Sequence, residues 1–351
     1  MTGLEQPLGR NAASLNPRSA SIKTEPEDWQ VVEVYDEDFS DAGEHLYLWV
    51  EKRCLGTKAV AAWLAQQFDV AELDVGFAGM KDKHALTTQW FSVRIPDADP
   101  HKCLDPPVFD GVNADEQIQV LRSHRHSRKL RRGEHQANRF RIVLRDIDGP
   151  IDASEIIKSL GQEFPNYFGP QRFGRHNLGD ALKWLQLRRT SSRKRRLSRQ
   201  RKGWHLSVLR SWIFNQLLSA RVADGSWQRV IDGDVKSLGP MVDGLVPQGP
   251  LWGRGRELRY GESLAQQQHC LETLKTPDAN QTLGEVCGAL EFAGVDRGTR
   301  SLVAKPGGVS CDIDDANGTT TLGFCLPVGS YATVLLGQWF ELCDRSLESL
   351  G

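Results

Sequence analysis

A single carboxylate, Asp82, stands between Lys81 and Lys83 in the stretch GFAGMKDKHALTTQWFSV, residues 76–93. Small and apolar residues (Phe77, Ala78, Gly79) lead into it. His84, two threonines, Gln89 and a strand-like run through Phe91, Val93 and Ile95 follow. This setting implies a partly buried loop. A carboxylate there stays ionised only if cations or donors offset its desolvation, and an ionised, positioned carboxylate is useful as a nucleophile or base. An arbitrary KDK tripeptide is more often a solvated turn whose lysines mask the acid; here the apolar flanks favour chemistry. Neither lysine need touch Asp82, because adjacent side chains of an extended segment point opposite ways.

Other clusters carry weaker signals. In QANRFRIVLR, Asn138 and Phe140 read first as strand residues with Phe140 in the core, and second as an aromatic on which a nucleobase stacks. In NYFGPQRFG, Phe168, Arg172 and Phe173 sit among glycines and a proline, a turn that could present an aromatic and a cation together or serve only as a hinge. Lys23, in IKTEPEDWQVVE, is unremarkable without a partner. His124 and His126 lie among arginines that would repel a metal. CDIDDANG, residues 311–318, has the wrong spacing for an EF-hand and reads as an acidic turn. No P-loop, complete GxGxxG or Gly-x-Ser-x-Gly elbow is present.

The elements that must position these residues follow from periodicity. Strands are expected through Trp29, Val31 and Val32 after a turn at Pro26, and over 45–52, where Leu46, Leu48 and Val50 suggest a half-buried strand. Further strands are expected over 90–95, 117–121 and 138–144. Thr57 is expected to cap a helix carrying Val60, Trp63, Leu64 and Phe68, and Asp152 with Glu155 to cap another that runs through Leu160. Beyond Phe164 the pattern turns helical and basic, with helices near 178–189 and 206–222; Asp232 to Arg259 reads as turn chemistry, and 262–294 as helical. Strand character returns over 319–326, followed by a helix that Ser330 could cap. This order predicts an α+β fold, a mixed sheet with helices, interrupted by an insertion. The division is a loose tail over 1–20, a catalytic domain from 21–160 and 303–351, and an insertion over 161–302.

Charge is segregated although the net is only −1. Residues 181–223 hold 12 Lys/Arg and no acid, and 122–145 hold nine against Glu134 alone, leaving the rest of the chain strongly acidic. Two basic surfaces on an acidic body point to an oriented polyanionic partner, and RRTSSRKRRLSRQRKGWH favours nucleic acid. No apolar run approaches the ~18 residues of a membrane span, and the first twenty lack a secretory h-region. Seven cysteines without a CxxC fit reduced thiols.

FAGMKDKHALTTQW, NYFGPQRFG, IKTEPEDWQVVE and ANRF together resemble the tRNA pseudouridine synthase D (TruD) family, over about residues 21–342. The resemblance implies a pseudouridine synthase core with a family-specific insertion, no cofactor and no metal, and isomerisation of a uridine in tRNA, at position 13 of the D-arm. Asp82 would be the catalytic aspartate, Lys23 its cationic partner, Phe140 the stacking aromatic and Asn138 its motif companion. Lys81, Lys83, His84, Gln89, Phe168, Arg172 and Phe173 would meet the substrate. The insertion would grip phosphates through Lys194, Arg195, Arg196 and Arg199. A cytoplasmic monomer with tRNA as partner is expected. A non-catalytic RNA-binding protein on the same scaffold is the alternative, and a methyltransferase lacks its glycine-rich cofactor loop.

Overall fold

The computed structural model describes residues 17–347 except 37, 96–115, 175, 191–196 and 279. The chain forms two compact units. One comprises Arg18–Gly161, Pro306–Val328 and the stretch from Phe340; the other comprises Gln162–Lys305 and Gly329–Trp339.

The first unit opens with β1 (Arg18–Ile22), β2 (Trp29–Val34), β3 (His45–Arg53), α1 (Thr57–Gln67), β4 (Val75–Phe77), β5 (Leu86–Arg94), β6 (Gln117–His126), β7 (Ala137–Arg145) and α2 (Ala153–Leu160). The chain then builds the second unit from β8 (Phe164–Pro165), α3 (Asn177–Thr190), α4 (Arg199–Ala223), β9 (Lys236–Leu238), β10 (Leu245–Leu251), α5 (Gly261–Thr273), α6 (Leu283–Phe292), β11 (Gly298–Ser301) and β12 (Val303–Ala304). It returns through β13 (Gly307–Asp314) and β14 (Thr319–Pro327), crosses to α7 (Ala332–Leu336) in the second unit, and closes with β15 (Phe340–Asp344) in the first.

A ten-stranded mixed sheet organises the first unit, in the order β13-β14-β7-β2-β5-β3-β6. Three strands lie off this path: β4 on β5, and β1 on both β7 and β15. The pairs β2–β5 and β1–β15 are parallel; the others are antiparallel. β2 (WQVVEV) and β5 (LTTQWFSVR) are mostly β-branched and aromatic, as a pleated, packed surface favours. Residues directly paired across strands share a face. Register therefore puts Trp29, Val31 and Glu33 beside Ile142, Phe140 and Asn138, and Thr87 between Val31 and Lys52, all on one face.

Over part of this face lies α1. Its Val60, Ala61, Trp63 and Leu64 pack on Leu46, Leu48, Val50, Phe91 and Val93. Each fully buried side chain of this kind contributes roughly 1.5–3 kcal/mol. The helix cap differs from expectation: Gly56 is the N-cap, and the Thr57 hydroxyl is spent on the Asp82 loop instead. Strand β3 is buried on both faces, because Tyr47 and Trp49 join Trp90 and Leu130 on the side opposite Leu48. Arg18–Ala20, read from sequence as the end of a loose tail, belong to β1.

In the second unit, α3, α4 and α6 enclose Leu178, Leu182, Leu185, Leu209, Trp212, Ile213, Leu283 and Leu290. Strand β10 runs through a stretch read from sequence as turns and pairs with β9 and β11. Tyr331, not Ser330, precedes α7; the Ser330 hydroxyl donates to Asn166 Oδ1 at 3.0 Å.

Candidate active site

The loop between β4 and β5 carries Asp82 across the sheet face just described, and buried hydrogen bonds fix its path. Gln89 Nε2 donates to the Gly79 carbonyl at 3.1 Å. Thr57 Oγ1 donates to Gln89 Oε1 at 3.0 Å and accepts from the Lys81 amide at 2.8 Å. A side chain at Gly79 would crowd the site, since an added Cβ would stand 3.0 Å from Lys81 Nζ and 3.1 Å from His135 Cε1.

The two lysines flanking Asp82 lead away from it. Lys81 Nζ meets Glu33 Oε2 at 2.8 Å, and the other oxygen of Glu33 accepts from the Trp90 amide at 3.2 Å. Lys83 is exposed and pairs with Glu116 at 3.6 Å. Gln89 and Lys81, expected from sequence to meet a substrate, are instead buried in the scaffold of the loop.

The Asp82 carboxylate remains 37% exposed. Lys23 Nζ stands 3.4 Å from Asp82 Oδ2 and 3.5 Å from Asp344 Oδ2, so one ammonium bridges two carboxylates. Lys23 is buried, its ammonium lies 4.6 Å above the Trp29 ring, and its backbone adopts φ +56°. That left-handed conformation is uncommon for a side-chain-bearing residue and marks a position held by its surroundings. Below the loop, Lys52 Nζ donates to the carbonyl of Asp82 at 2.7 Å. Burial pulls the Lys52 ammonium down to about 8, against an opposing pull from Asp82.

Trp29 links this cation to the aromatic position, because Phe140 meets Trp29 edge-on at 6.5 Å and stacks on Phe324 at 5.4 Å. Phe140 is only 8% exposed, so packing occupies it as the core reading expects. Asn138 Nδ2 approaches His135 Nε2 at 3.4 Å, while Asn138 Oδ1 is buried without a hydrogen-bond partner. Burial, and then the charge of Lys81, push His135 down to about 4, so it is neutral near pH 7. His84 Nε2 is likewise buried without a partner.

Within the second unit, Phe168 is fixed through its own backbone, whose N–H and C=O both bond the Asn215 side chain at 2.9 Å. Two guanidiniums flank its ring: Arg300 at 4.1 Å and Arg172 at 6.0 Å from the centroid. Arg172 bonds Ser211 Oγ at 3.2 Å and Ser207 Oγ, and lies 4.8 Å over Trp204. Arg300 bonds the Asn166 carbonyl at 3.0 Å and its Oδ1 at 2.7 Å, and burial pushes it down to about 10. Neither guanidinium meets a carboxylate among the described residues. Phe173 packs against the helical core, which gives it a structural place. Arg199 is exposed at the start of α4; Lys194, Arg195 and Arg196 lie outside the described residues.

Sequence reasoning missed Glu33, Lys52, His135, Arg300 and Asp344. Glu33, Lys52 and Asp344 lie far along the chain from the residues they meet, and only strand register or tertiary packing brings them there, while His135 stands three residues before Asn138. Among the described residues, no group of three or more His, Cys, Asp or Glu is arranged to hold a metal, and no helix is long and apolar enough to cross a membrane.

A sequence profile described as tRNA pseudouridine synthase D (TruD) matches residues 11–183. A tRNA pseudouridine synthase D of Cellvibrio japonicus is 38% identical over 340 residues, covering 95% of this chain and 93% of its own. One from Methylococcus capsulatus is 36% identical, covering 91% and 90%. The fold matches a crystal structure assigned as a tRNA pseudouridine synthase D of Methanosarcina mazei with a TM-score of 0.64 at 18% identity, over 97% of this chain and 98% of that one. Sequence kinship across nearly the full length, on a matching mixed-sheet architecture, makes this chain a member of the tRNA pseudouridine synthase D family.

Proposed function

We propose that this protein isomerises a uridine of tRNA to pseudouridine, at position 13 in the D-arm, with Asp82 as the catalytic carboxylate. One observation carries the reading: a half-exposed carboxylate on a pinned loop, with a buried ammonium 3.4 Å from one of its oxygens.

The reaction breaks the bond from ribose C1′ to N1 of uracil, turns the base, and joins C5 to C1′ with loss of the C5 proton. A carboxylate serves whether it attacks C1′ or C6, or removes a ribose proton to give a glycal. Attack at C1′ parallels the covalent route of retaining glycosidases. Each route requires the uridine to leave its stack, and extrusion into a pocket with an aromatic wall meets that need. Phe140 is the expected stacking residue. Its ring is nearly covered in this conformation, so stacking requires it to be uncovered when RNA binds. Phenylalanine has no ionisable group, so another base or water removes the C5 proton.

In this reading the first unit is the catalytic domain and the second is the family's insertion. Lys81 and Gln89 shape the loop, while Lys83 and His84 lie closer to the RNA. On the insertion, Phe168 and Arg172 offer an aromatic and a cation together, and the basic run of Lys194, Arg195, Arg196 and Arg199 supplies phosphate contacts.

The test is tritium release from tRNA carrying 5-tritiated uridine, with no cofactor added, followed by chemical mapping of the modified position. Native protein should release tritium and Asp82→Asn should not, while both bind tRNA alike. Tight tRNA binding with no release from the native protein would favour an RNA-binding role instead.

A further inference from the structure

We propose that Lys52 is a positioning residue for Asp82: its buried ammonium, anchored on a strand paired along both edges, holds the main-chain carbonyl of the catalytic aspartate and so sets where the carboxylate stands. The inference rests on the reading of Asp82 given above.

Three buried lysines surround this loop, and their partners distinguish them. Lys81 is neutralised by Glu33, and Lys23 by Asp82 and Asp344. Lys52 forms no ion pair among the described residues. It is 1% exposed, and the hydrogen bond at 2.7 Å goes to an uncharged acceptor, the carbonyl of Asp82. Burying an ammonium without a carboxylate is costly, so a fold serving stability alone would place an apolar residue here, as the paired Ile118 of β6 does. No neighbour among the described residues forms an ion pair with Lys52. On β5 the paired residue is Thr87, whose hydroxyl is buried without a partner. From α1 the only charge is Lys58, which is exposed. From the loop come Asp82, which stabilises the ammonium, and Lys81, which opposes it; Cys54 at the end of β3 adds a smaller favourable effect.

The geometry points to control of position. Lys52 is on β3, which is bonded along its length on one side to β5 and on the other to β6, so its backbone cannot shift independently. The carbonyl it holds belongs to the same residue as the reacting carboxylate, so freeing that carbonyl lets the carboxylate drift. A displacement of roughly 1 Å at a reacting group costs on the order of a hundredfold in rate. Because burial brings the Lys52 ammonium down to about 8, the same contact weakens in mildly alkaline solution.

The experiment compares native protein, Lys52→Gln and Lys52→Met by single-turnover tritium release from tRNA between pH 6 and 10. Alongside it, tRNA affinity is measured, and the ¹³C shift of the Asp82 carbonyl is followed in selectively labelled protein. The expected result has four parts. Lys52→Met is about a hundredfold slower at pH 7 with tRNA affinity unchanged. Lys52→Gln recovers part of the rate, since its carboxamide can still donate. The native rate falls as pH rises through about 8, and the Asp82 carbonyl shift moves with that midpoint in native protein only. A near-native rate for Lys52→Met, or a carbonyl shift flat from pH 6 to 10, overturns the proposal. Equal losses of rate and tRNA affinity in both variants also overturn it, in favour of a general structural role. If the native protein released no tritium while its Asp82 carbonyl titrated, and Lys52→Met removed that titration, the Lys52–Asp82 coupling would be upheld and the uridine chemistry rejected.

Discussion

Lys81 and Glu33 meet at 2.8 Å beneath the Asp82 loop, with side chains 4% and 0% exposed. A pair so deeply buried is weak evidence of stabilisation by itself, because desolvation offsets much of the attraction. Breaking it is another matter. Glu33→Ala strands an ammonium against neutral His135 and should cost about 3–5 kcal/mol. Replacing both partners, as Glu33→Leu with Lys81→Met, should return most of that stability. The double variant loses the ionic clamp between β2 and the loop, so it should remain slow in tritium release even when its urea midpoint is near native. A double variant no more stable than Glu33→Ala would show that the pair is not the source of the loss.

His135 makes acid sensitivity local and measurable. Its folded value of about 4 lies below the ordinary 6.5, so the unfolded chain takes up a proton first. The associated stability is complete above 6.5, declines as pH falls, and stops declining below about 4. Between pH 7 and pH 5 this single group should remove about 2 kcal/mol. Urea unfolding of native protein and His135→Gln at those two pH values tests it: the variant should lose less. Equal losses would assign the acid limb to other groups.

The basic run before α4 predicts a steep salt dependence of tRNA binding. Each phosphate neutralised contributes a slope of roughly −0.9 in log affinity against log salt. Replacing Lys194, Arg195, Arg196 and Arg199 with Gln should flatten the slope by about three to four and leave the rate at saturating tRNA nearly unchanged. Filter binding between low and physiological salt measures this. A flat native curve would remove the insertion's basic run from RNA binding.

Much of the fold was legible because alternation and helical stripes are local signals. Strands β2, β5 and β7 and helices α1 to α4 lie where Trp29 and Val31, Phe91 and Val93, Phe140 and Ile142, and Leu178 to Leu217 imply. What was not legible depends on distance or on exceptions to local rules. The burial of β3 on both faces needs Trp90 and Leu130 from elsewhere in the chain. Strand β10 hides behind Pro247 and Pro250, which punctuate most sequences but here sit in a short sheet between β9 and β11. At the candidate site, the motif exposes Asp82, yet nothing near it in sequence announces Glu33, Lys52 or Asp344. Thr57 shows the same limit from the other side: its type and place suggest a cap, and tertiary contacts assign its hydroxyl to the loop.

The parallel pairing of β1 with β15, Ile22 beside Asp344, joins the first and last of the described strands. Lys23 follows directly on β1, and Asp344 closes β15, so the ion cluster around Lys23 draws on the first and last of the described strands. Pairing at so large a sequence separation carries a high loop-closure cost and forms late in folding. A nascent chain still on the ribosome therefore has the Asp82 loop but neither the strand that seats Lys23 nor the second acid that shares it. Synthesis of residues 340–344, not folding of the motif, is the event that completes this ion cluster, and a protein truncated before residue 340 would carry an intact signature around a site that lacks its second acid.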